Sequence, residues 1–285
     1  MSRIVVANAH PQAGATTIAA GLAHRLAYAG RNVRLERLEG DARAEADATT
    51  FGMMEIADAT AVPVAEAAVP ADAPDTVTII EAPEGASDAE AGALAQRLGA
   101  RLVLVALEPV DAPAEATVIL NHQRKPGPNA VAEDRLLAAP TVARLIEASR
   151  ARVLARSEEG DEAILEHLVV GAISHDPADE HFRRFPRRAV ISRVEKVDLA
   201  LAAMLTESEC LILTGGEEPS PYLLDRASST RRTTLLLAPE GTVETLRDVE
   251  GVFGTTPFAH EAKVERIGAL IKAALDDATL ASIAG

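Results

Sequence analysis

The feature that most constrains this chain is a short loop between an apolar run and a helical pattern. The apolar run covers residues 4–7, and an alanine- and leucine-rich helical pattern extends from about Thr17 to Ala29. The loop between them reads Ala9-His10-Pro11-Gln12-Ala13-Gly14-Ala15-Thr16-Thr17. Because such a loop places backbone amides at a helix N-terminus, we expect a strand–loop–helix unit that can hold an anion.

The loop departs from the Walker A pattern, G-x-x-x-x-G-K-[ST], at two positions. Gly14 and Thr16 hold the places of the second glycine and the hydroxyl residue. Ala9 replaces the first glycine, and Ala15 replaces the lysine. Because that lysine meets the β- and γ-phosphates, its absence argues against ATP hydrolysis. The amides of residues 13–16 can still hold a phosphate, so retained binding and a structural relic both stay open.

Composition favours helices packed on sheets. The 285 residues suffice for two domains of ordinary size. Hydrophobic residues make up 48% of the chain and aromatic residues only 2%, so its cores must consist of Ala, Val, Leu and Ile. The net charge of −15 argues against a partner that is a nucleic acid or an anionic membrane. This acidic, lysine-poor surface fits both a halophilic cytoplasm and a codon bias toward Arg and Ala.

Cysteine usage and hydropathy bear on disulfides, zinc sites and the cellular compartment. Cys210 is the single cysteine, which excludes an internal disulfide framework and a multi-cysteine zinc site. It lies in the apolar run Cys210–Leu213, so we expect a buried, inert thiol. Because we find no signal peptide and no apolar stretch of membrane-spanning length, we expect a cytoplasmic protein.

Short apolar runs alternate with helical patterns in the first half of the chain, which predicts a parallel α/β sheet. The predicted strands there are Arg3–Ala7, Val33–Leu38, Thr76–Ala82, Arg101–Ala106 and Thr117–Asn121. Residues 57–75 and 121–134 read as irregular connections. After a helix near Thr141–Arg150, the predicted strands are His167–Ile173, Ala189–Ser192, Cys210–Thr214 and Thr233–Ala238. The predicted helices there are Asp198–Thr206, Tyr222–Ser229, Thr242–Val249 and the amphipathic Ala259–Leu275.

Several motifs in the second half resemble those of a known family. They are Asp134-Arg135-Leu136-Leu137 with Pro140-Thr141-Val142, Val170-Gly171-Ala172-Ile173, and Leu211-Ile212-Leu213-Thr214-Gly215-Gly216 with Pro219. They resemble the entry helix and strand ends of a DRTGG domain. The loop that names this domain is altered, because residues 192–198 read S-R-V-E-K-V-D where relatives read approximately T-G-G-D-R-T-D.

Over nearly its full length the chain resembles the BioD-like phosphotransacetylase family and the N-terminal region of long phosphate acetyltransferases. The resemblance implies an α/β fold with two domains. A parallel-sheet, P-loop NTPase-like (dethiobiotin-synthetase-like) domain would cover residues 1–145, and a smaller α/β DRTGG-type domain would cover residues 146–285. The sequence contains no phosphotransacetylase catalytic domain, so we expect no acetyl transfer.

The resemblance also suggests site residues. Glu81 precedes Ala82-Pro83-Glu84-Gly85, which is similar to the V-E-G-x-G turn whose strand-end carboxylate helps to hold Mg²⁺. Asn121 matches an I-L-N segment and either reads an adenine edge or ties down a loop. Asp41 and Asp47 are either site carboxylates or solvated ones. The glycines after Thr214 permit close approach of a ligand or simply form a tight turn.

The expected binding residues come from four parts of the chain. The expected cofactor-binding residues are His10, Ala13, Gly14, Ala15, Thr16, Thr17, Glu81, Asn121, Thr214, Gly215 and Gly216. Thr16 and Glu81 are also the expected metal ligands. The expected cofactor is ATP, ADP or AMP with Mg²⁺.

The function expected from these features is regulatory. DRTGG domains often accompany nucleotide-sensing modules, so we expect a non-catalytic, homodimeric protein that binds a nucleotide or another anionic metabolite. By resemblance, its setting would be acyl-CoA or acetyl-phosphate metabolism, with an enzyme of that metabolism as partner. One alternative is an ATP-dependent ligase or ATPase of the dethiobiotin-synthetase type, in which Arg3, Arg34 or Arg37 replaces the missing lysine. Another is a structural partner subunit of an acyl-transfer assembly.

Overall fold

The computed structural model describes residues 3–71, 73–171, 177–255, 258 and 260–285. Its internal contacts divide the chain into two units. The first unit is Met1–Asp134 with Pro257–Gly285, and the second is Arg135–Thr256. The expected division lay after residue 145, with the C-terminal segment in the second domain. In the structure that segment belongs to the first unit, because its long helix packs on the first helix of the chain.

The secondary structure alternates strands and helices along both units. The strands are β1 (Arg3–Asn8), β2 (Asn32–Arg37), β3 (Asp58–Ala59), β4 (Thr76–Glu81), β5 (Arg101–Ala106), β6 (Thr117–Gln123), β7 (Ala130–Ala132), β8 (Arg152–Ala155), β9 (His167–Val170), β10 (Arg188–Arg193), β11 (Cys210–Thr214) and β12 (Thr234–Leu237). The α-helices are α1 (Ala15–Tyr28), α2 (Ala44–Gly52), α3 (Asp88–Leu98), α4 (Arg135–Ala138), α5 (Val142–Ser149), α6 (Pro177–Arg183), α7 (Val197–Leu205), α8 (Pro221–Thr230), α9 (Thr242–Glu250), α10 (Glu261–Ala274) and α11 (Asp277–Ala284). Among the described residues, none of these helices has both the length and the apolar character needed to cross a membrane.

The strands predicted for the first unit are confirmed to within one or two residues at their ends. The stretches expected to be irregular contain β3, a single 3₁₀ turn at Glu66–Ala68, and β7. Two- and three-residue strands are too short to produce an alternating pattern, which is why the sequence did not reveal them. Residues 172 and 173 of the predicted strand and V-G-A-I motif lie outside the described residues.

The first unit contains a seven-stranded parallel sheet with the order β3-β2-β4-β1-β5-β6-β7. Its central strands are buried on both faces, which is why they read as continuous apolar runs. The chain leaves β1 toward β2 on one side and leaves β4 toward β5 on the other. These diverging connections open a crevice at the carboxyl ends of β1 and β4, the usual ligand position in such sheets.

Helix α10 packs closely on α1 through glycines on both helices. A Cβ atom at Gly21 would lie 2.7 Å from side-chain atoms of Ile267 and Ile271. At Gly268 it would lie 2.0 Å from the Nδ1 atom of His24. The two helices can therefore approach this closely only because neither glycine carries a side chain.

The second unit contains a five-stranded sheet with the order β8-β12-β11-β10-β9, in which only β8 is antiparallel to its neighbour. Strands β9, β10, β11 and β12 lie side by side in chain order and are parallel. The right-handed crossovers between them therefore place α6, α7 and α8 on one face of the sheet. Phe182, Leu199 and Leu223 of these helices join one core cluster with Leu211. Helices α5 and α9 cover the other face, where Cys210 is fully buried and burial raises the pKa of its thiol.

Candidate functional site

Two asparagine side chains hold the loop between β1 and α1. The Asn8 Oδ1 atom accepts a hydrogen bond from the amide of Ala15 at 2.9 Å, and the Asn121 Nδ2 atom donates to the Ala13 carbonyl at 2.8 Å. Gly14 has a φ angle of 96°, and a Cβ atom there would lie 2.6 Å from Asn121 Nδ2. Only glycine fits this position, because it alone tolerates both the left-handed backbone and the close side chain.

These contacts decide how the loop can be used. Asn121 ties down the loop, which was one of the two expected roles, and the amide of Ala15 is already bonded to Asn8. Among the described residues, the amides of Gly14, Thr16 and Thr17 donate to no acceptor. They point from the first turn of a 14-residue helix, so they can serve as donors to an anion.

Thr16 and Glu81 meet at the crevice, although they lie 65 residues apart in sequence. The Thr16 hydroxyl donates to Glu81 Oε1 at 2.8 Å. Glu81 is only 2% exposed, and its Oε2 atom has no hydrogen-bond partner among the described residues. Burial raises the pKa of Glu81 to about 8, although Arg37 acts in the opposite direction. Arg37 is shared with two further carboxylates, so a divalent cation would add counter-charge at this one.

Arg37 lies at the centre of a buried group of carboxylates beside this pair. Its guanidinium is 1% exposed, donates to Asp41 Oδ2 at 2.6 Å, and lies 3.4 Å from Asp47 Oδ2 and 3.6 Å from Glu81 Oε2. Burial alone would lower the pKa of Arg37, but the three carboxylates raise it. Burial raises the pKa of Asp47, whereas hydrogen bonds from Arg37 and two backbone amides outweigh burial and lower the pKa of Asp41.

The arginines that could replace the missing lysine are engaged elsewhere. Arg3, at the start of β1, donates to the carbonyl oxygens of Leu98 and Pro70. Arg34 pairs with Asp58 at 2.9 Å. The third candidate, Arg37, is buried and surrounded by carboxylates. None of these contacts directs a guanidinium toward a phosphate on the loop.

His10 lies at the edge of the loop and contacts the residues that follow β5. Its Nδ1 atom accepts from the amide of Leu107 at 3.3 Å, and its Nε2 atom lies 3.9 Å from Glu108 Oε1. Because Nδ1 accepts a hydrogen bond, the proton of the neutral ring is on Nε2. His10 is therefore a half-buried neighbour of the loop that is already paired with other groups.

The part of the chain that the structure describes offers few ligands to a metal ion. Within the described ranges, no group of three or more His, Cys, Asp or Glu residues is placed to hold one. Thr16 and Glu81 together supply two oxygen atoms on one side of the crevice. That number is compatible with Mg²⁺, which commonly takes most of its ligands from water and substrate phosphates.

The residues expected in the second unit form a tight turn after β11. Gly215 and Gly216 have φ angles of 104° and 73°, and their amides donate to the carbonyls of Glu240 and Ala238 at 2.9 and 3.2 Å. Thr214 is buried and bonded to the hydroxyl of Thr242 at 2.9 Å. These hydrogen bonds hold the turn against the residues that follow β12. They support the alternative that both glycines simply form a tight turn.

The second unit matches a known domain. A family model described as DRTGG domain matches residues 144–252, which lie entirely within this unit. The chain contains a DRTGG domain. A similar solved structure comprises the CBS and DRTGG domains of the regulatory region of Clostridium perfringens pyrophosphatase, complexed with the activator diadenosine tetraphosphate. It is 17% identical, with a TM-score of 0.36, and the similarity covers 42% of this chain and 52% of that chain.

The altered loop of this DRTGG domain forms the connection from β10 to α7. The amide of Val194 donates to the carbonyl of Thr214 at 3.2 Å, and the amide of Lys196 donates to the carbonyl of Arg193 at 3.0 Å. Glu195 and Lys196 are exposed. Backbone bonds to β11 and within the turn thus hold the loop, although it lacks the glycines of its relatives.

Proposed function

We propose that this protein is a regulatory protein that binds a nucleotide, or a related phosphate-bearing metabolite, together with Mg²⁺. The observation that carries the proposal is the 2.8 Å contact between Thr16 Oγ1 and Glu81 Oε1 at the N-terminus of α1. The unused amides of Gly14, Thr16 and Thr17 supply donors for a phosphate. The hydroxyl and the carboxylate supply oxygen ligands for Mg²⁺.

Hydrolysis or ligation of the bound nucleotide is not part of this proposal. Residue 15 is alanine, and its amide is bonded to Asn8. Of Arg3, Arg34 and Arg37, only Arg37 lies beside Glu81, and its single charge is already shared among three carboxylates. Without a cation at the γ-phosphate, the transition state of phosphoryl transfer has no counter-charge from this loop.

The wider setting is proposed from the sequence alone. It comprises a P-loop NTPase-like first domain, a role in acyl-CoA or acetyl-phosphate metabolism, a homodimer, and a cytoplasmic location. The DRTGG domain at residues 144–252 supports the regulatory part of the proposal. The structural-subunit alternative predicts instead a chain that binds no nucleotide.

Titration calorimetry on the full chain tests the proposal. ATP, ADP and AMP are titrated with and without Mg²⁺, in low and in molar KCl. Thr16→Val removes the hydroxyl at nearly constant volume, and Thr16→Ser retains it. We expect Thr16→Val to weaken binding of the Mg²⁺-nucleotide by about tenfold, or ~1.4 kcal/mol, and Thr16→Ser to remain close to wild type.

The metal dependence separates a specific site from a general loss of structure. In EDTA the three proteins should bind equally, because the hydroxyl acts through the metal ion. No heat with any nucleotide, from protein whose unfolding is cooperative, would contradict the proposal and favour the structural-subunit alternative. Equal effects of both substitutions would show that the hydroxyl is not a ligand.

A further inference from the structure

The turn that follows β4 contacts the loop between β1 and α1. The Glu84 Oε1 atom accepts a hydrogen bond from the amide of Gln12 at 3.4 Å. Gln12 has a φ angle of 57°, and Gly14 follows with a φ angle of 96°. Left-handed residues within a short loop turn successive amides toward one concave side, which is how backbone loops bind anions. One of these donors is therefore already occupied by a carboxylate of the same chain.

Further contacts hold Glu84 in this position. Its own amide donates to Asp41 Oδ2 at 2.8 Å, and Asp41 also accepts from Arg37. On the outer side, the Nε atom of the exposed Arg43 lies 3.9 Å from Glu84 Oε2. The backbone of the turn is thus anchored to the buried carboxylate group, while the carboxylate of Glu84 lies between the loop amide and an exposed guanidinium.

We infer that Glu84 is an autoinhibitory residue, whose carboxylate occupies the place of a ligand oxygen at the Gln12 amide. A phosphate that also takes the Gln12 amide as a donor must displace this carboxylate, and Arg43 is positioned to receive it. The inference rests on the proposed function, because it concerns the same anion site. It implies that nucleotide affinity is set partly by competition within the chain.

Calorimetry on the full chain with MgADP, and separately with inorganic phosphate, tests this inference. Glu84→Gln removes the charge, and Glu84→Ala removes both the charge and the hydrogen-bond acceptor. We expect Glu84→Ala to bind about tenfold more tightly than wild type, which corresponds to ~1.4 kcal/mol, and Glu84→Gln to be intermediate. Hydrogen exchange at the Gln12 amide should become faster in Glu84→Ala without ligand.

Glu108→Gln is the matched control. Glu108 is another carboxylate near the loop, 3.9 Å from His10 Nε2, but it accepts no hydrogen bond from a loop amide among the described residues. If Glu108→Gln tightens binding as much as Glu84→Ala, the effect is long-range repulsion and the inference is overturned. Tighter binding in the Glu84 variants alone supports direct occupation of the amide.

The outcomes distinguish this inference from the function on which it rests. If wild type binds MgADP and the Glu84 variants bind no more tightly, the inference fails and the proposed function stands. If only the Glu84 variants bind, both are supported, and the wild-type loop is closed by its own carboxylate. If no protein in the series binds either probe, both are overturned.

Discussion

A single buried acid, Glu81, links the candidate site to stability. It lies at the carboxyl end of β4 with 2% of its surface exposed, and one of its oxygens lacks a hydrogen-bond donor among the described residues. Burial raises its pKa from 4.5 to about 8. Between these two pH values the folded protein holds a proton that the unfolded chain releases.

This difference predicts how stability changes with pH. The contribution of Glu81 is fully present below pH 4.5 and is lost as the pH rises through about 8, because the folded state binds more protons in that window. We expect the unfolding free energy of wild type, relative to Glu81→Gln, to fall by at most ~1.4 kcal/mol per pH unit across the window. Urea unfolding from pH 4 to pH 9 measures it.

An exposed glutamate provides the control for this prediction. Glu39→Gln removes the charge of an exposed carboxylate one residue after Leu38 and is measured over the same pH range. If Glu81→Gln also follows wild type across the whole range, the buried carboxyl does not retain its proton in the folded state. The affinity for Mg²⁺ should change with pH in the opposite direction to stability. Because Mg²⁺ binds the ionised carboxylate of Glu81, its affinity should rise with pH.

At the residue scale, the sequence motifs pointed to residues that the structure brings together. Thr16, Glu81 and Asn121 were expected near a ligand, and the structure places Thr16 against Glu81 and Asn121 against the loop. Asn8 and Glu84 were not expected to act on the loop. Neither belongs to a recognisable spacing, because each contact depends on the backbone position of a second segment.

At the element scale, the sequence pattern identified a long amphipathic helix but not the shortest strands. The predicted helix Ala259–Leu275 is observed as Glu261–Ala274, with Val264, Ile267 and Ile271 buried as its periodicity indicates. Helix α3 has a capping box formed by Ser87 and Glu90, a helix-start signal that was readable from the sequence. The two- and three-residue strands β3 and β7 left no comparable pattern.

The α1–α10 contact supplies a prediction at this scale. Gly268→Ala should destabilise the protein by ~1–3 kcal/mol, because the added Cβ would lie 2.0 Å from His24 Nδ1 inside a packed helix pair. Gly92→Ala in α3 meets nothing within 4 Å and should stabilise it by up to ~1 kcal/mol. Thermal unfolding compares the two variants.

A second substitution isolates the cause of this effect. Combining Gly268→Ala with His24→Ala should cost less than the sum of the single changes, because the clashing ring is removed. Additive costs would indicate that the glycine matters for the helix backbone instead of for the space beside His24. A destabilised Gly92→Ala would show that helix propensity does not control this position.

At the scale of the whole molecule, the first unit is discontinuous in sequence. Its sheet is complete by residue 132, yet α10 and α11 return to it after the whole second unit. The DRTGG match at residues 144–252 lies within the inserted unit. Residues 257–285 were expected in the second domain, whereas the structure places them in the first unit.

This arrangement predicts unequal effects of shortening the chain. A protein that ends at residue 256 lacks α10, so the Gly21 face of α1 loses its cover. We expect amides of the first unit to exchange with solvent at least about tenfold faster, since each 1.4 kcal/mol of lost stability multiplies exposure by ten. Amides of β10 and β11 in the second unit should keep their protection, and uniform loss in both units would contradict the prediction.

The sequence by itself determined the type of fold, because buried parallel strands must be continuous apolar runs and packed helices must repeat every 3.6 residues. It also determined that the loop between β1 and α1 lacks a lysine. Only the tertiary structure decided that Glu81 and Arg37 share a buried charge group, that Glu84 occupies a loop amide, and that the C-terminal helices belong to the first unit. These features are contacts between segments far apart in the chain, and strand order and helix packing bring them together, not local sequence.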